Sequence, residues 1–136
     1  MKTVFDSKYQ KVDSYEEKQL LHFIFKPETE EMTNQIYKDE YLKIIELFNN
    51  HTTRISKTLV DMRHFLFSME PELQLWHNQN VFAAAIKMGM KKMAILVSTD
   101  IFTEVSVQQT VEEEKTQSFE TKYFDSEEAA KKWLEI

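Results

Sequence analysis

Asp61, His64 and Ser68 carry the residue types of a hydrolase triad and fall within eight residues of one another. Such triads assemble from separate elements, with a strained nucleophile turn and an oxyanion hole beside it. No G-x-S-x-G elbow occurs in the chain, so no catalytic residue is expected and the chain reads as non-catalytic. Asp61 is still the first site candidate, because the spacing puts it at the carboxyl end of a strand, where open α/β sheets place ligand crevices. The plainer alternative is that it caps a backbone N–H or pairs with Arg63. The four histidines, His22, His51, His64 and His77, show neither H-E-x-x-H nor a pair on one helix face, so no metal site is expected. His22 reads as a core histidine with a hydrogen-bond partner, and His77 as a helix-surface residue beside Trp76. Cysteine is absent, which removes thiol nucleophiles and thiolate ligands. With Gly89 the single glycine, neither a phosphate-cradling loop nor a dinucleotide fingerprint can be built, and no cofactor is expected.

The elements that would position these residues follow from periodicity. Tyr9–Asp13 and Leu20–Lys26 read as a hairpin joined by Ser14–Lys18. In the second strand Leu21, Phe23 and Phe25 share one face and Leu20, His22 and Ile24 the other, which makes it central. Pro27 and the acidic cluster after it stop that strand. An amphipathic helix is expected over Thr29–Asn50, with Tyr37, Tyr41, Ile44, Ile45 and Phe48 at helical spacing and the helix lying on the sheet. Lys57–Met62 is a short strand and Arg63–Glu70 a loop. A helix opens on Pro71 and runs to Met88, burying Leu73, Trp76, Val81, Ala84, Ala85 and Met88, with Gly89 as its C-terminal cap. The continuous apolar run Met93–Val97 suits a parallel strand covered on both sides. A third helix is expected from Asp100 toward Glu114, with Phe102 and Val105 inward and a solvated Glu112–Glu114 face. A last strand over Ser118–Phe124 and a helix over Asp125–Ile136, with Asp125 and Glu128 at capping-box spacing, close the chain. The order ββαβαβαβα implies an α/β fold: a mixed, mostly parallel five-stranded sheet flanked by helices, in one domain spanning 1–136.

Four large apolar residues, Phe65, Leu66, Phe67 and Met69, fall in the predicted loop. They either tuck under the domain or form an exposed patch of the kind that marks interfaces. Seven methionines, among them Met88, Met90 and Met93, fill core gaps or line an adaptable groove.

Composition bounds the partners. At 136 residues, 42% hydrophobic and 12% aromatic, the chain is long enough for one well-buried core and too apolar for disorder. A net charge of −6 without a basic patch argues against nucleic acid and anionic membrane surfaces. The opening MKTVFDSKYQ has no apolar leader core and no window approaches a membrane span, so a cytoplasmic chain without membrane insertion is expected.

Three segments carry a resemblance. Phe124-Asp125-Ser126-Glu127-Glu128-Ala129-Ala130-Lys131-Lys132-Trp133-Leu134 resembles the closing segment of the SpoIIAA-like family. Met88-Gly89-Met90-Lys91-Lys92-Met93-Ala94-Ile95 looks like that family's helix-to-strand junction, and Thr58-Leu59-Val60-Asp61 like its strand ending in aspartate. The family is similar in fold to the STAS domains of anti-sigma-factor antagonists and is grouped with SEC14-like lipid-binding domains. The resemblance implies a mixed sheet flanked by helices and often dimers, with no established activity. The antagonists' Asp-Ser-Ser-Gly turn has no counterpart in Phe67-Ser68-Met69-Glu70, so no phosphosite is carried onto Ser68. The leading expectation is a STAS-like association module, homodimeric or bound to another protein, with Phe65, Leu66, Phe67 and Met69 near the contact. The alternative is a SEC14-like domain for a small apolar or lipid ligand, with a crevice near Asp61, Arg63 and His64 and walls from Trp76 and the methionines.

Overall fold

The computed structural model describes residues 1–50, 54–101 and 119–136. Among them the strands form one six-stranded sheet in the order β1-β2-β3-β4-β5-β6: β1 Lys2–Asp6, β2 Gln10–Tyr15, β3 Leu20–Phe25, β4 Lys57–Asp61, β5 Lys92–Leu96 and β6 Glu120–Phe124. The first three are antiparallel and β3 to β6 are parallel, so the sheet is mixed and β3 joins its two halves.

The strand missing from the sequence-based expectation is β1. Its register slips between Thr3 and Phe5, and the irregularity lets the adjacent Val4 and Phe5 both pack against the core. That breaks the period of two by which a strand is read. β2 also runs two residues further than expected, because Ser14 and Tyr15 pair with Leu21 and Leu20 instead of turning. The turn is a short 3-10 helix, Glu16–Lys18, closed by Gln19 in the left-handed region at φ 53°.

Helix α1 runs Asn34–Asn49, starting five residues later than the spacing predicts. Pro27–Glu31 forms a separate 3-10 turn, and Thr33 caps α1 by accepting the Ile36 N–H at 3.2 Å. The helix expected over Pro71–Met88 is continuous but composite. It comprises α2 Pro71–His77, a π turn Asn78–Phe82 and α3 Ala83–Met88. Gly89 caps it at φ +102°, a conformation open to glycine and strained for side-chain-bearing residues. Helix α4, Glu127–Leu134, is capped by Ser126, whose hydroxyl accepts the Ala129 N–H, and not by Asp125. Most of the expected third helix, with Phe102, Val105 and Glu112–Glu114, lies outside the described residues, as does His51.

Two layers of apolar side chains cover the sheet. On one face Val12, Leu21, Phe23, Phe25 and Met93 meet Tyr37, Tyr41, Ile44 and Phe48 of α1 and Leu73, Val81, Ala84 and Ala85 of the composite helix. On the other face Leu20, Leu59, Ala94, Leu96 and Phe124 meet Ala130 and Leu134 of α4. Both faces of β3 are therefore used. No described helix is long and apolar enough to cross a membrane.

Candidate functional site

Between the larger layer's helices and the sheet lies a cavity of about 500 Å³. Its floor is built by strand alternation: Phe23, Phe25, Thr58, Val60, Met93 and Ile95 all point to this face. Its roof comes from Tyr37, Tyr41 and Phe48 of α1 and from His77, Val81, Phe82, Ala85 and Met88 of the composite helix. The π turn explains how one helix contributes the adjacent pairs His77 and Asn78 and Val81 and Phe82. Its wider turn shifts the inward stripe by a residue, and Asn80 satisfies the Trp76 carbonyl with its side-chain amide at 2.8 Å. Met62, Phe65, Met69 and Met90 close the side. Among the described residues no Lys, Arg, Asp or Glu lines the cavity. Two other depressions lie at the β1–β2 end, around Met1 and the Tyr15–Lys18 turn and beside the end of α1, and charged side chains line both.

The polar feature of the cavity is a pair on its wall. Tyr37 hydroxyl and His77 Nδ1 are 2.7 Å apart, and the imidazole meets Phe82 and Tyr41 edge-on at centroid distances of 4.7 and 5.2 Å. Burial pushes the His77 pKa down to about 4 and drives both tyrosine hydroxyls above their ordinary range. The group is uncharged at neutral pH. His77 is therefore half-buried against Tyr37 and not the surface residue expected from its neighbour Trp76. Its spacing carries the signal, since Leu73, His77, Val81 and Ala84 recur on one helical stripe.

The loop after β4 is pinned from beneath. Thr29, fully buried, accepts the Leu66 N–H at 2.9 Å and lies 2.8 and 3.3 Å from the Lys26 and His64 carbonyls. Phe65 consequently packs edge-on against Phe25 at 4.6 Å, and Phe67 stacks over Tyr37 at 5.9 Å. Thr29→Val keeps the shape but strands the Leu66 N–H, and should cost about 1–3 kcal/mol in urea denaturation. A loss within error of zero would mean that the loop is held by its aromatic contacts alone.

The remaining sequence candidates lie elsewhere. Asp61 faces α4, on the side of the sheet away from the cavity, and its carboxylate accepts the Arg63 N–H, Nε and Nη2 at 3.1, 3.0 and 2.8 Å. Burial opposes its charge, but the bonds from Arg63 together outweigh that and hold its carboxyl below the usual range. The cap-and-pair reading of Asp61 thus describes its contacts. Arg63 also reaches Glu127 at 3.8 Å. Nearby, His22 has a buried Nε2 with no partner among the described residues, and burial pushes its imidazole down despite Glu127, Asp61 and Asp13. His64 and Ser68 are exposed, so the three triad residue types share no cavity. Trp76 stands outside the cavity lining, with Lys38 Nζ 5.8 Å from its ring. Leu66 is 55% exposed, while Phe65, Phe67 and Met69 are drawn inward. Methionines thus line this cavity, and Trp76 and Asp61 do not.

No family model, no curated protein and no solved structure matches the chain.

Proposed function

We propose that this domain binds a small apolar molecule in the cavity between the sheet and helices α1 to α3, and acts by binding without catalysis. The observation that carries the reading is the cavity itself. About 500 Å³ lies within the range of small-molecule sites, and its lining combines aromatic and methionine side chains with a few polar groups. On this reading the chain is a SpoIIAA-like domain of the SEC14-related kind, supported by the three resembling segments. The rival reading, a homodimer joined through the Phe65–Met69 loop, has less to stand on. Of that loop's large apolar side chains only Leu66 remains exposed.

The test fills the space. N-phenyl-1-naphthylamine, an uncharged dye that brightens in apolar surroundings, should bind the wild-type chain saturably at one equivalent. Ala85→Trp projects an indole into the cavity and should weaken that binding by about tenfold or more, the factor set by 1.4 kcal/mol of lost contact. Ala85→Leu, a smaller intrusion, should fall between the two, with unchanged circular dichroism. Absence of saturable binding to the wild type, or equal binding by both variants while folded, would overturn the proposal.

A further inference from the structure

We infer that the cavity's ligand is an uncharged ring compound bearing a hydroxyl group, an alcohol or a phenol, anchored at His77. This rests on the binding function proposed above and narrows it to a chemical class. Three observations carry it.

First, the lining offers no side chain of fixed charge among the described residues. A carboxylate, phosphate or ammonium buried there would lose its hydration without gaining a counter-ion from the described residues, which disfavours charged ligands. Second, His77 offers an anchoring position on the cavity wall. The Thr58 hydroxyl is turned to Met90 Sδ at 2.9 Å, while Gln74 and Asn78 are exposed. His77 uses Nδ1 toward Tyr37, and no described residue bonds its Nε2. The Tyr37 hydroxyl can give or take the proton on Nδ1, so Nε2 can be either acceptor or donor. A ligand hydroxyl matches both states, whereas a carbonyl or an ether matches one. Third, the aromatic rings of Phe25, Tyr41, Phe65 and Phe82 line the same space. Flat rings gain more from such walls than flexible chains, which lose rotamer freedom on binding.

The experiment compares four probes on the full wild-type chain at pH 7.5 by calorimetric titration: 2-naphthol, naphthalene, 2-naphthoate and the ammonium form of 2-naphthylmethylamine. The expected order places 2-naphthol about tenfold tighter than naphthalene, the factor for one hydrogen bond to a buried partner, and both charged probes weaker than either. His77→Asn removes Nε2 while leaving an acceptor near Tyr37, and should erase the advantage of 2-naphthol over naphthalene without abolishing naphthalene binding. Equal binding of naphthol and naphthoate would overturn the uncharged class, and equal binding of naphthol and naphthalene to the wild type would overturn the hydroxyl anchor. If N-phenyl-1-naphthylamine binds but none of the four does, the ring-alcohol class fails alone. If the dye fails as well, the binding function itself fails.

Discussion

Acidification from pH 7.5 to pH 4.5 should cost the wild-type fold about 2 kcal/mol more than it costs His77→Asn. The sign follows from burial. The His77 imidazole titrates near 6.5 in the unfolded chain and at about 4 in the folded one, because its charged form loses hydration among Phe82, Tyr41 and Tyr37. Between those values the unfolded chain binds more protons, so stability is complete above pH 6.5 and drains away as pH falls toward 4. The full interval corresponds to about 3 kcal/mol, and the ring's partial exposure places the expected loss at the lower end.

Other groups titrate nearby, and the comparison of the two proteins sets them apart. His22 is also shifted down by burial, so it adds a loss of the same sign to wild type and variant alike. Asp61 is held below its usual range by Arg63, so its contribution is lost only at lower pH. Urea midpoints at four pH values between 4.5 and 7.5 would isolate the His77 part as the difference between the two proteins. Parallel profiles would show that the imidazole is hydrated in the folded state and that the cavity wall is wetter than its contacts indicate.

What could be read from residue order was whatever depends on neighbours along the chain. Apolar residues on both faces of Leu20–Phe25 placed that strand centrally, and it is the third of six and the joint between the antiparallel and parallel halves. Gly89 marked a helix end because only a residue without Cβ takes φ +102° cheaply. The edge strand Lys2–Asp6 escaped because its bulge presents two consecutive residues inward, and Thr29 because its helical propensity was outweighed by a buried hydroxyl role under the next loop. The cavity was the least legible feature. It depends on Tyr37 and His77, forty positions apart, and on a π turn whose one-residue shift of the inward stripe still leaves Leu73, His77, Val81 and Ala84 at ordinary helical spacing. The loop's four large apolar residues gave no direction of their own. Thr29 accepts the Leu66 N–H from beneath, with Phe65 and Phe67 turned inward and Leu66 left out.

Leu134→Ala should be the most destabilising truncation within helix α4, at about 2–5 kcal/mol, while leaving dye binding in the cavity intact. Helix α4 has eight residues, too few to persist without tertiary contacts. Ion pairs, apolar burial and a hydrogen bond from Lys92 Nζ to the Trp133 carbonyl at 3.3 Å hold it. Arg63 and Lys131 reach Glu127 at 3.8 and 3.3 Å, but these side chains are two-fifths or more exposed and such pairs contribute about 0–1 kcal/mol. Ala130, Leu134 and the half-buried Trp133, tilted against Phe124 at 5.8 Å, supply the apolar burial. Leu134, fully buried, is the largest of the completely enclosed anchors, and its loss leaves a void beside Leu59, Ala94 and Leu96 that a short helix cannot close by shifting. Hydrogen exchange should then speed up in β4 and β5, the central strands that α4 shields, because the helix detaches before the sheet opens. Glu127→Gln, which removes both ion pairs, should change stability by less than about 1 kcal/mol. If instead Glu127→Gln cost more than Leu134→Ala, charge and not apolar burial would be what fastens α4 to the sheet.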